Sequence, residues 1–238
     1  QERDVTSVQW VEAISVSRHL WTGQHVFKFG TDLQRSEYHG TSATRPVEIR
    51  RLDGSLAERI DFAPASRQEV QGTEMSLFAQ DRWRVNGRLT FEVGLRLDRD
   101  AVVRGLHLSP RAGVAISVLP AGRGILRGGF GKFVQRTPLN IGAFETFEAR
   151  TVSRFTPIGA PLGVPVTYDN RLGEGLRTPQ AYVGNVEWDQ RFSRRLLLKL
   201  GGLHRVGSRE YLVLPDAESG ALRLTSGGMS KYREVEAT

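Results

Sequence analysis

The stretch Leu89-Thr90-Phe91-Glu92-Val93-Gly94-Leu95-Arg96-Leu97-Asp98 decides the fold prediction, because large apolar residues alternate with polar or small ones along it. Successive side chains of a β-strand point to opposite faces, so the pattern predicts a strand with one apolar and one polar surface. A helix would need apolar residues three and four positions apart, and the chain rarely sustains that spacing. The alternation recurs in residues 27–34, 111–118, 126–134, 182–191 and 196–203.

The connections between these segments alternate between short and long. Short turns are predicted near residues 20–24, 85–88, 119–123 and 192–195, and Asn86-Gly87 is a favoured two-residue hairpin turn. The other connections, residues 40–72, 99–107, 136–179 and 207–230, are mostly long and rich in Gly, Pro, Ser and Thr. Short turns at one rim and long loops at the other are typical of a membrane barrel. The sequence therefore predicts an all-β, antiparallel, up-and-down transmembrane β-barrel domain over residues 1–238, with about nine spanning strands.

The first long loop carries a small hairpin of its own in this prediction. Residues 47–51 and 57–61 alternate like strands and flank Asp53-Gly54, a pair of residues that favours a tight turn. Such a hairpin would stand above the barrel rim.

Composition excludes several other classes of protein. The chain has 33 Lys and Arg against 26 Asp and Glu, a net charge of +7, but the basic residues are scattered and form no long run. It has no Cys, which excludes disulfides, zinc–thiolate centres and cysteine nucleophiles. Its five His lack helical metal-ligand spacing, and no Gly-x-Ser-x-Gly nucleophile motif occurs. We therefore expect no catalytic residues, no metal site, no cofactor, no enzymatic activity and no nucleic-acid partner.

In a membrane barrel, one face of each strand contacts lipid and the other faces the lumen. The apolar face would contact outer-membrane lipid, and its predicted members are Phe29, Leu77, Phe91, Val93, Leu95, Ile116, Val186 and Leu198. The polar residues predicted to face the lumen are Glu92, Arg96, Asp98, Arg111, Arg127, Asn185, Glu187 and Lys199. Trp21, Trp83 and Trp188 lie in or near predicted short turns and would form an interfacial aromatic girdle. Glu12 and Asp81 lie among apolar residues, and the pattern does not explain them.

Several segments resemble TonB-dependent outer-membrane receptors, and most closely the Oar-like branch, whose members often carry a carboxypeptidase-regulatory-like N-terminal domain. The hairpin formed by residues 78–83, 85–90 and 94–98 is similar to one typical of that family. The following segments resemble its next hairpins: residues 109–113, 126–133, 178–179, 185–187 and 207–212. The resemblance extends from about Val26 to Tyr232, and its specificity comes from the combined order of these segments.

The resemblance implies energised uptake of a scarce or large solute across the outer membrane. The partners it implies are the protein's own plug domain and TonB, neither of which the sequence contains. The family's barrel has roughly 22 strands, so we expect this chain to be a fragment of the barrel without a plug domain. The long loops, above all residues 136–179, are expected to contact the solute, whose identity the sequence does not give.

Two other interpretations fit parts of the pattern. A soluble or secreted β-sandwich or propeller module that binds carbohydrate or protein would bury the same alternating faces against a second sheet. A basic nucleic-acid-binding protein would explain the net charge, although the strand aromatics mostly share faces with aliphatic residues.

Overall fold

A computed structural model, which describes residues 2–216 and 218–238, contains thirteen strands in one continuous sheet within those residues. In chain order the strands are β1 Glu2–Leu20, β2 Gly23–Ser42, β3 Val47–Arg50, β4 Leu56–Phe62, β5 Ser66–Arg84, β6 Leu89–Arg99, β7 Leu106–Leu119, β8 Gly124–Val134, β9 Arg150–Arg154, β10 Val166–Leu172, β11 Gln180–Arg191, β12 Leu197–Asp216 and β13 Ala221–Ala237. Helix α1, Leu139–Gly142, is a single turn. No helix in the described ranges is long and apolar enough to cross a bilayer.

The long strands pair antiparallel in the order β1-β2-β5-β6-β7-β8-β11-β12-β13. Chain neighbours are sheet neighbours except where a long loop intervenes, as in an up-and-down barrel. The fold prediction is therefore confirmed, including the number of spanning strands. The predicted short turns are confirmed as well, since β1–β2, β5–β6, β7–β8 and β11–β12 are joined by connections of only two to five residues.

Two predicted loops are shorter than the sequence suggested. The fourth long connection, predicted at residues 207–230, is wrong, because β12 continues to Asp216 and β13 begins at Ala221. A bulge between Ser208 and Leu212 interrupts the alternation there, and Arg209 has a positive φ of 60°. The first long connection, predicted at residues 40–72, is also shorter, because β2 continues to Ser42 and β5 already begins at Ser66. These ends of the two strands lie beyond the part that shows alternation. Both faces are polar in these extensions, so no apolar period marks them.

The remaining strands form a second tier beyond the long-loop rim. The hairpin β3–β4 matches the one predicted around Asp53-Gly54. Strand β4 pairs with β9, which belongs to the loop between β8 and β11, and β9 pairs with β10. Strand β10 then runs parallel to residues 221–224 of β13. Two loops far apart in sequence are thus joined into one sheet.

The register places all eight predicted lipid-facing residues on one face of the long strands, which we call the apolar face. Its side chains are not covered by a second layer of the chain: Val93 is 53% exposed, Phe29 50% and Leu95 46%. A β-sandwich would bury such a face against another sheet. The exposed apolar face therefore favours the barrel over the sandwich.

Candidate functional site: the polar face and a loop segment across it

The opposite face of the long strands carries all the side chains that the sequence assigned to the lumen, and we call it the polar face. Glu92, Arg96 and Asp98 alternate along β6, and Gly94 between them is in register with Arg111 of β7. The remaining members lie on β8, β11 and β12 in mutual register: Arg127, Asn185, Glu187 and Lys199. The structure thus brings the set onto one surface, while its role as a lumen lining stays a prediction.

The middle of the polar face is a chain of side-chain contacts. Arg111 Nη2 donates to Gln80 Oε1 at 2.7 Å, and the Gln80 amide donates in turn to Glu92. Beside them, Gly113 and Gly129 leave a hollow of about 340 Å³. A Cβ added at Gly113 would meet neighbouring atoms only at 3.5 Å or more, so this hollow has room for a side chain.

Nearer the short-turn rim, charged residues of three neighbouring strands lie side by side, and those of β8 and β11 form ion pairs. The guanidinium of Arg127 contacts the carboxylate of Asp189 and lies 4.0 Å from that of Glu187. Lys199 is opposite Asp189 in the register. These side chains line a cavity of about 500 Å³, which is consistent with a hydrated surface.

Nearer the long-loop rim, a denser ionic cluster is centred on Asp32, whose side chain is 10% exposed. Arg96 binds Asp98 through Nε at 2.7 Å and lies 3.6 Å from Asp32 through Nη2. Ser76, fully buried, donates to Asp98 at 2.6 Å and accepts from Arg96 at 2.8 Å. Gln9 donates to the other oxygen of Asp32 at 2.8 Å.

Arg136, from the loop after β8, completes this cluster. Its guanidinium donates to Asp32 Oδ2 at 2.5 Å and to Gln34 Oε1 at 2.6 Å, and it lies 3.2 Å from Glu74 Oε2. Sequence reasoning missed these residues. Asp32 and Gln34 fall on the polar side of an alternating segment and could have been included, but nothing in the sequence marks a loop arginine as their partner.

The residues that follow Arg136 cross the polar face, and we call residues 136–147 the strap. The Thr137 amide donates to Asp100 Oδ2 at 2.8 Å, and its hydroxyl is 2.8 Å from the Tyr211 hydroxyl. The strap then turns through α1, and Ala143 is almost fully buried. Between the strap and the polar face of β1, β2 and β5 lies a cavity of about 460 Å³, lined by Ser36 among others.

The three predicted interfacial aromatics lie near the short-turn rim. Trp21 is in the β1–β2 turn and fully exposed. Trp83 Nε1 donates to the Thr22 carbonyl at 2.9 Å, and Trp188 Nε1 to the Gln190 side chain at 3.2 Å. Their role as a girdle stays a prediction.

The structure explains one of the two charges that the sequence left without a reason. Asp81 lies on the apolar face and contacts His25 Nδ1 at 2.8 Å, and both side chains are largely buried. The His25 ring stacks between Phe27 and Trp83, at 5.5 Å from each. Glu12 is exposed on the same face, and nothing in the structure explains it.

In the turn between β3 and β4 of the second tier, hydrogen bonds shift the pKa of Asp53. Hydrogen bonds from the Ser55 hydroxyl, at 2.6 Å, and from its amide, at 2.9 Å, hold the pKa of Asp53 below the usual range of an aspartate. The turn therefore favours the ionised carboxylate. Among the residues that the structure describes, no group of three His, Asp or Glu is arranged to hold a metal ion.

The fold is similar to that of several solved outer-membrane proteins. The chain aligns over 99% of its length with the outer membrane transporter YddB from Escherichia coli, at a TM-score of 0.70 and 13% identity, and covers 30% of that protein. It aligns likewise with the siderophore receptor PirA from Acinetobacter baumannii, at a TM-score of 0.67 and 13% identity, covering 34% of it. PirA from Pseudomonas aeruginosa gives a TM-score of 0.53 at 11% identity, with 99% of this chain and 47% of that one covered. The chain thus spans about a third to a half of these proteins.

Sequence comparison gives the family. No curated protein sequence matches the chain significantly. The family model described as TonB dependent receptor-like, beta-barrel, matches residues 3–196, most of the chain. Together with a sheet of nine spanning strands and an exposed apolar face, this match shows that the chain belongs to the β-barrel family of TonB-dependent receptors, proteins of the bacterial outer membrane.

Proposed function

We propose that the chain forms part of the wall of a receptor that takes up a solute across the outer membrane, driven by TonB through a plug domain. The observation that carries this proposal is the division of one sheet into an exposed apolar face and an ion-paired polar face. That division suits a wall between hydrocarbon and a hydrated lumen. The protein acts in this proposal as a transporter and not as an enzyme, and residues 1–238 form a single barrel segment.

The polar residues predicted from the sequence line the lumen in this proposal. Their ion pairs keep charged groups satisfied on the wall, and the hollow at Gly113 and the cavity beside Lys199 leave space for water or for the plug. The girdle formed by Trp21, Trp83 and Trp188 anchors the short-turn rim at the membrane interface. We further propose the Oar-like branch, on the resemblance of the hairpin segments alone.

The solute class most worth testing is a ferric siderophore, because two structural neighbours are siderophore receptors. The direct experiment uses ferric enterobactin, because a further structural neighbour is described as a ferric enterobactin receptor. It measures accumulation of radioactive iron, supplied in this form, by cells with the full-length receptor, without it, or without TonB. Uptake that requires both the receptor and TonB supports the proposal. Equal uptake with and without the receptor rejects ferric enterobactin as the solute, and receptor-dependent uptake that persists without TonB rejects the energised mechanism.

A further inference from the structure

We propose that the strap is a latched gate across the long-loop mouth of the lumen, and that Arg136 is its latch. This inference rests on the proposed assignment of the polar face to the lumen. It concerns a loop that folds back over the wall and is fixed there by specific contacts.

The latch is an arginine held by two carboxylates of different strands. Arg136 reaches Asp32 on β2 and Glu74 on β5, whose side chains are only 10% and 16% exposed. Gln34 accepts a further hydrogen bond from the same guanidinium. Charge-assisted hydrogen bonds of this kind are about twice as strong as neutral ones. The Arg136 side chain is still 36% exposed, so water can replace its contacts without unfolding a strand.

A second fastening lies one residue further along. Thr137 is 2% exposed and binds Asp100 in the β6–β7 connection and Tyr211 on β12. Asp100 is itself fixed, because its other oxygen accepts the amides of Val102 and Val103 at 2.9 Å. Strands β2 and β12 are separated by five others in the sheet. Two consecutive loop residues therefore tie together parts of the wall that lie far apart.

The wall is also shaped to receive the strap. Gly72 of β5 has no side chain where the strap passes, and a Cβ there would lie 2.6 Å from Ala101 Cβ and 3.1 Å from Leu139 Cδ2. A glycine in a strand interior is destabilising by itself, and it often marks a close approach of another chain segment. Gly113 on the same face has no such neighbour, which makes it a matched control position.

The absence of Cys from this chain allows a direct test. A Ser36→Cys substitution puts a thiol in the cavity beneath the strap. It is made in a full-length receptor that has no other cysteine, and the receptor is assayed in isolated outer membranes. The experiment compares its labelling by N-ethylmaleimide with its labelling by a bulky maleimide–polyethylene glycol. The ratio of the bulky to the small rate measures how far the strap covers the site. Heat-modifiable migration on gels verifies that each variant has a folded barrel.

In Arg136→Gln, the ratio of the bulky to the small labelling rate should rise by about tenfold or more, because the strap loses at least one charge-assisted hydrogen bond. Arg111→Gln removes the same charge from the same face without touching the strap and should leave the ratio unchanged. Gly72→Val should raise it by displacing Ala101 of the β6–β7 connection together with Leu139 of the strap, whereas Gly113→Val should not.

Equal ratios in Arg136→Gln and Arg111→Gln would overturn the latch. A thiol at position 36 that N-ethylmaleimide cannot reach from outside even in Arg136→Gln and Gly72→Val, where the strap is released, would instead overturn the lumen assignment, and with it the proposed function. Because labelling needs no solute and no TonB, a receptor that fails to transport still tests the gate.

Discussion

Introducing an arginine on each face of the wall tests which face meets the membrane. Leu95 lies on the apolar face, between Ala79 of β5 and Pro110 of β7, and is 46% exposed. It is near the centre of β6, which the proposed arrangement puts near the middle of the bilayer. Leu95→Arg would place a charge in hydrocarbon with no acidic residue directly opposite.

The folding free energy that Leu95→Arg should lose has two contributions. An arginine at the bilayer midplane of a β-barrel costs about 2–4 kcal/mol. Removing the roughly half of the Leu95 surface that faces lipid loses about 1 kcal/mol more, since a fully buried leucine contributes about 1.5–3 kcal/mol. The expected loss of folding free energy is therefore about 3–5 kcal/mol. Val93→Arg should lose less, because Asp81 lies directly opposite Val93 and can pair with the new charge.

The control is Gly113→Arg on the polar face. The site has space, Glu92 is directly opposite, and replacing a strand glycine recovers about 0.5–1 kcal/mol of backbone entropy. We expect a change within about 1 kcal/mol of zero. The assay is a denaturant titration of the full-length receptor refolded into lipid vesicles. Similar losses for Leu95→Arg and Gly113→Arg would refute the assignment of faces.

Three further outcomes are expected. In a double-mutant cycle with His25→Phe and Asp81→Leu, the unfolding free energies should show a coupling of about 1–3 kcal/mol, and additivity would mean that the pair is not stabilising. The pKa of Asp53 is lowered in the folded turn, so the ionised carboxylate stabilises the turn above the ordinary aspartate range, and this stabilisation is lost as the pH falls through the folded pKa. Amide hydrogen exchange at Ser55 should therefore become faster over that pH range, relative to the unfolded chain. Asp53→Asn should abolish this pH dependence. The guanidinium of Arg51, in the β3–β4 turn, donates to the carbonyl of Leu56 in its own loop and to that of Phe155, just after β9 in the other loop. Arg51→Ala should therefore increase proteolysis in both the β2–β5 loop and the β8–β11 loop of the full-length receptor, and cleavage confined to one of them would contradict their mutual support.

The sequence predicted the spanning part of the fold because lipid imposes a strict alternation there. The stretch from Leu89 to Asp98 shows this, since every second side chain must suit hydrocarbon. Above the membrane that requirement disappears. The upper parts of β2 and β5 are polar on both faces, and they were interpreted as loop although their strands continue.

The candidate site was predictable only in part, for a related reason. Membership of the polar face follows from the period of two, so residues such as Glu92 and Arg127 could be assigned from sequence. Contacts between distant segments have no such period. The pairing of Arg136 with Asp32 joins residues 104 positions apart, and that of Asp81 with His25 joins residues 56 apart. Such partners become visible only when the strands are set in register.

The pairing of β4 with β9 has a consequence for how this protein would be seen from outside the cell. Residues 58–62 and 150–154 form one surface although they are far apart in the chain. A synthetic peptide from either loop would present only one of the two strands of this surface, so antibodies raised against it would lack contacts to the other strand. Immunogens that copy this region should therefore present both segments together on a folded scaffold.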